Sequence, residues 1–120
     1  MRLRHERGAI TAYAASVAVM LMIATLVITQ IAGLVRLRHR VAAGADLAAL
    51  AATQASVAGE DSCDAADRIA RRNGVELLTC RMDYDVATVT ARAASVAWWG
   101  HRWAFEQDAR AAPDFYVDDG

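Results

Sequence analysis

With 120 residues, 56% of them hydrophobic, and a net charge of −1, the chain has room for one small domain beyond any anchor and lacks the basic surplus of a nucleic-acid-binding protein. That charge is unevenly spread: Arg2, Arg4 and Arg7 against Glu6 give +2 over residues 1–8, Arg36, Arg38 and Arg40 give +3, and the remainder carries −6. No phosphate loop, nucleophile elbow, HExxH or dinucleotide fingerprint occurs, which sets aside the commonest hydrolase, kinase and oxidoreductase chemistries.

Residues 1–8 (MRLRHERG) form a short basic leader suited to the cytoplasmic face of a membrane. Ala9 to Val35 then gives 27 residues without a charge. As a helix they would reach about 40 Å, more than the roughly 30 Å hydrocarbon core of a bilayer. Thr11, Tyr13, Ser16, Thr25, Thr29 and Gln30 are uncharged, and a hydroxyl can fold back onto its own helix carbonyls, so none of them forbids insertion. The run is roughly twice the length of a cleavable signal core. It reads as a retained transmembrane helix; the alternative is a secretory signal that frees a domain beginning near Ala42 to Ala45. Ala14, Ala18 and Gly33 are the small residues that would let a second helix approach inside the bilayer.

Arg36 to Arg40 (RLRHR) would sit at the headgroup level, where long basic side chains snorkel toward phosphates. Residues 36–58 extend the helix: the stretch from Val41 to Val57 is alanine-rich and free of proline, and Gly59 ends it. One face of this extension holds Ala45, Ala48, Ala52 and Ala55 and suits close approach by another helix; a second, with Leu47, Leu50 and Ala51, is the better candidate for the domain's own core.

Residues 59–113 read as a small α+β domain. A short helix opens at Asp61 or Ser62, carries Asp64 and Asp67 early and Arg71 and Arg72 late, and stops at Asn73-Gly74. Two alternating segments follow, Val75 to Met82 and Ala87 to Ala94, joined by a tight turn at Asp83-Tyr84-Asp85. The alternation predicts Leu78, Cys80 and Met82 on one face of the first strand against Val75, Leu77, Thr79 and Arg81, and Val89, Ala91 and Ala93 opposing Thr88, Thr90 and Arg92 on the second. Trp103 to Ala112 alternates again, with Trp103, Phe105, Ala109 and Ala111 together; it is predicted as a third antiparallel strand, with a helix as the alternative. Residues 114–120 form an acidic tail.

Cys63 and Cys80 are the only cysteines and read as one disulfide in an oxidising compartment, two unpaired thiols being the other reading. Zinc would want four ligands, which His5, His39 and His101 are not placed to complete. Arginines flank the apolar run on both sides, so they do not decide its orientation; a disulfide would put the domain outside the cytoplasm and the leader inside. His101 lacks a recognisable catalytic partner, and Asp83 and Asp85 read as turn residues rather than calcium ligands. The expectation is a protein that is not an enzyme, with no cofactor, metal or small-molecule substrate. Trp98, Trp99, Trp103 and Phe105, with Phe115 and Tyr116 beyond, concentrate the domain's large apolar groups. Some should fill the core; the others are a candidate partner surface, because consecutive Trp98 and Trp99 cannot both face inward on a strand.

The order of parts resembles a known family. A leader ending in Glu6-Arg7-Gly8, an apolar helix starting at once, the extension AAGADLAALAATQA, and Cys63 and Cys80 enclosing RIARRNGVELLTC are similar to the small actinobacterial TadE-like proteins. These are relatives of the TadE/TadG pseudopilins of Flp-type (type IVb) pilus and tight-adherence secretion loci. The resemblance implies a non-enzymatic pilin-like component of a Flp/Tad pilus or type II-like secretion apparatus, a single-pass protein of the cell membrane with its N-terminus inward, partnered by other pilin-like or secretion subunits. Its implied fold is an α+β membrane protein: a long N-terminal transmembrane helix extended outward, one short helix, and an antiparallel sheet of two or three strands. In pilin-like precursors a peptidase cuts after a glycine ahead of the apolar run, which would fall here between Gly8 and Ala9; the glutamate usual five residues on is Tyr13 in this chain. The alternative function is a single-pass, membrane-tethered binding module using the Trp-rich region.

Overall fold

The computed structural model describes residues 2–95 and 100–114, with side chains from Gly8 onward. Its elements are α1 (Arg2–Val57), α2 (Ser62–Arg72), β1 (Glu76–Asp83), β2 (Val86–Ala94) and β3 (Ala104–Ala111). They fall into two compact units, Met1–Gly33 and Leu34–Gly120.

The first unit is helix alone, and α1 begins at Arg2, ahead of the expected start at Ala9. From Gly8 to Gly33 every side chain is exposed, including Ile10, Met20, Leu21, Met22 and Ile28. A helix apolar on nearly all sides suits an apolar surrounding. Within it Ser16, Thr25 and Thr29 each donate their hydroxyl to the carbonyl four residues back, at 2.8 Å, which satisfies these three hydroxyls within the helix itself. Gly8–Val57 is long and apolar enough to cross a membrane.

The second unit packs the C-terminal half of α1 and α2 with an antiparallel sheet of order β1-β2-β3. Asp61 caps α2, its carboxylate accepting from the Asp64 N–H at 3.1 Å. The helix closes at Gly74, whose φ of +71° admits paired bonds from Gly74 N–H to Arg71 O and Val75 N–H to Ala70 O. α1 ends with the same pairing around Gly59: Gly59 N–H to Ser56 O and Glu60 N–H to Ala55 O. The third strand forms as a strand, pairing with β2 from Ala87↔Ala111 to Ala94↔Ala104.

Nine alanines and three valines make up the buried cluster: Val41, Ala45, Ala48, Ala49 and Ala52 from α1, Ala66 and Ala70 from α2, Val75, and Ala87, Val89, Ala91 and Ala109 from the sheet. This reverses the expected roles of the two faces of α1. The alanine face lies inward, and Leu47 and Leu50 lie outward, 44% and 47% exposed. Small residues on helix and sheet allow close approach; leucines on the inner face would hold the layers apart.

A second correction concerns β1. Its register with β2 shifts between Leu77 and Thr79, so Leu78 is the extra residue of a bulge. Leu77 therefore packs against the core with Cys80 and Met82, while Leu78 is exposed. β2 follows its predicted alternation, with Val89 and Ala91 buried and Ala93 partly so.

Candidate functional site

The interior of this small domain is filled by alanine and valine, so its candidate sites lie on its surfaces. Among the described residues no group of three or more His, Cys, Asp or Glu side chains is placed to hold a metal ion. Cys63 and Cys80 form a disulfide, with Cα atoms 5.8 Å apart, that ties the first turn of α2 to the middle of β1.

The Trp-rich region divides. Trp98 and Trp99, like Phe115 and Tyr116, lie outside the described residues. Phe105 packs against the core cluster. Trp103 instead stays 53% exposed, its ring edge-on to His101 with centroids 5.0 Å apart. Two bonds close the β2–β3 connection beneath this pair: Ser95 N–H to Trp103 O at 2.7 Å, and Trp103 N–H to Ser95 Oγ at 3.0 Å. Of the proposed aromatic quartet, then, one member is core and one is surface.

On α1, Gly8 and Ala9 are consecutive helical residues, and Tyr13 is exposed one turn beyond Ala9. Ala14 and Ala18 stand one turn apart and exposed. No side chain comes within 4 Å of where a β-carbon on Gly33 would lie.

Further along, Ala43, Leu47, Leu50, Gln54 and Val57 are exposed in sequence spacings of four, three, four and three, a continuous seam on the outer side of α1. The sequence alone puts its leucines in the core. The a/d-type spacing could have revealed the seam, but hydrophobicity ranked leucine above alanine for burial. Near its end, α1 is fastened to the sheet by Thr53, whose hydroxyl lies 3.1 Å from Ala49 O and 3.2 Å from Ala111 O, and by Ser56, which donates to Asp85 Oδ1 at 2.7 Å. Farther back along the helix, α1 contributes Leu37 and Arg40 to an open cleft of about 540 Å³, shared with α2, β1 and β2.

The Tad family, described as Flp pilus-assembly TadE/G-like, matches residues 8–67, from the start of the apolar run through the first turns of α2. No curated protein and no solved structure matches the chain.

Proposed function

We propose that this chain, which belongs to the TadE/G-like family of Flp pilus-assembly proteins, is a non-enzymatic, pilin-like structural or assembly component held in the cell membrane by the apolar part of α1. The observation that carries the reading is that the family match covers the charge-free run and its helical extension together. Within this reading the N-terminus is cytoplasmic and the disulfide-stapled domain extracytoplasmic, where an oxidising milieu maintains the Cys63–Cys80 bond. The actinobacterial likeness and the tie to a secretion apparatus belong to the same reading.

Its work is lateral association. Ala14, Ala18 and Gly33 admit a neighbouring helix in the bilayer, where packing rather than hydrophobic burial drives contact. Beyond the membrane, the Leu47–Leu50 seam presents apolar surface to another subunit. With Tyr13 in place of a glutamate, the chain has no carboxylate inside the span to pair with a neighbour's new amino terminus, which favours an assembly component that remains in the membrane over a fibre subunit.

Sequencing the amino terminus of the mature, membrane-associated protein tests the reading. A start at Met1 corresponds to a retained anchor and one at Ala9 to a processed pilin; a soluble product starting near Ala43 overturns both. Loss of co-isolation with pilus-assembly subunits on Ala18→Leu supports association through the span.

The exposed Trp103 beside His101 favours a second reading, a membrane-tethered binding module. That reading expects Trp103→Ala to abolish partner capture while Ala18→Leu leaves it intact.

A further inference from the structure

The open cleft beside the Leu37–Arg40 stretch of α1 has an amphipathic construction. Leu37 and Arg40 of α1 line it with Asp67 and Arg71 of α2, Glu76 of β1 and Arg92 of β2. Arg71 is held by Asp67 at 3.0 Å. Arg40 and Arg92 have no ion-pair partner among the described residues, although Glu76 is the register partner of Arg92 across the β1–β2 ladder. Near the end of α2 the Ile69, Ala70 and Arg71 carbonyls are already occupied by the Asn73, Gly74 and Val75 N–H groups. Two unpaired guanidinium groups thus share an opening whose remaining lining includes the apolar Leu37, Leu77 and Ala93. This is not a by-product of overall charge, because the chain beyond Arg40 carries a net −6.

Location supplies the ligand. Leu37 and Arg40 follow Val35, the last residue of the charge-free run, by two and five positions. At the helical rise they lie about 3 and about 8 Å beyond it along the axis. With that run tilted so that Val35 ends at the hydrocarbon boundary, both fall in the headgroup layer. Arginine forks match phosphate oxygens, and a leucine beside them can cover glycerol and the first acyl methylenes. We propose that this cleft binds the phosphodiester headgroup of an anionic phospholipid in the leaflet from which α1 emerges, with Arg40 and Arg92 as the phosphate ligands. The inference rests on α1 being embedded in a membrane.

Lipid retention measured by native mass spectrometry on the full-length chain in detergent micelles, with phosphatidylglycerol or phosphatidylcholine added, tests it. The expected result is one tightly retained phosphatidylglycerol, preferred over phosphatidylcholine. Each of Arg40→Gln and Arg92→Gln should weaken that retention about fivefold, the usual worth of one arginine beside an anionic surface. Arg81→Gln, at an exposed arginine already paired with Asp83, should leave it unchanged. Equal retention of the two lipids, or a preference that survives both cleft substitutions, overturns the assignment while leaving the membrane anchor intact. Displacement of the lipid by millimolar glycerol phosphate would show a site for soluble phosphate, which also overturns it. A chain that stays in the aqueous phase without detergent overturns the anchor and the lipid site together.

Discussion

Val75 packs directly on the backbone of α1 at Gly44: a β-carbon at position 44 would lie 2.6 Å from Val75 Cγ2 and 3.1 Å from Val75 Cγ1. Gly44 is a helix-interior glycine, which costs roughly 1 kcal/mol of helix propensity relative to alanine. What offsets this is the seating of Val75, the buried residue that leads from the closed end of α2 into β1.

Gly44→Ala should therefore destabilise the domain despite its better helix propensity, by up to about 2 kcal/mol once the overpacking is set against the propensity gain. Denaturant titration of the full chain in detergent, followed by the near-ultraviolet signal of the domain, measures it. Val75→Ala in the same background should recover part of the loss, so the pair is non-additive. A more stable Gly44→Ala would mean that the contact yields without strain.

The two faces of α1 can be told apart by substitution. Ala48 is fully buried, and Ala48→Leu should cost about 1–3 kcal/mol by overpacking. Leu47→Ala with Leu50→Ala should change stability by no more than about 0.5 kcal/mol each, as surface substitutions do. Chemical denaturation reads the first effect, and cross-linking of copies or co-isolation of partner subunits reads the second. If the leucine variants unfold the domain, the inward and outward faces have been exchanged.

Reduction of the Cys63–Cys80 bond should destabilise the domain substantially. For a 17-residue separation, the chain-entropy model gives about 3 kcal/mol. An alanine core offers little to replace it, since each buried methylene is worth only about 0.8 kcal/mol. The melting temperature of the chain with and without reductant, alongside a Cys63→Ser/Cys80→Ser variant, checks this; unchanged melting would show that the packing suffices alone.

At the far end of the domain, Ser56 Oγ donates to the Asp85 carboxylate at 2.7 Å and ties α1 to the β1–β2 turn. Ser56→Ala should cost about 1.5–3 kcal/mol, the range for a hydrogen bond to a charged group. Hydrogen exchange should locate the loss in Asp83 to Val86 rather than across the sheet.

Much of this architecture was legible in the amino-acid order because its signals are local. The charge-free run, the Asp61 cap, the Asn73-Gly74 stop, the paired alternations and the third strand each depend on residues a few positions apart. The Tad resemblance overlaps the family match over residues 8–67, while Glu6, Arg7 and the stretch up to Cys80 on which it also rests lie outside that match. Tertiary structure alone decided which side of α1 turned inward, that Leu78 bulges and so moves Leu77 to the core, that Phe105 is core while Trp103 is surface, and that Arg40 and Arg92 meet at one cleft. The first of these depends on how closely the sheet approaches the helix. That distance is set by alanines on both layers and by Gly44 under Val75, so it is a property of the pair and cannot be read from either segment separately.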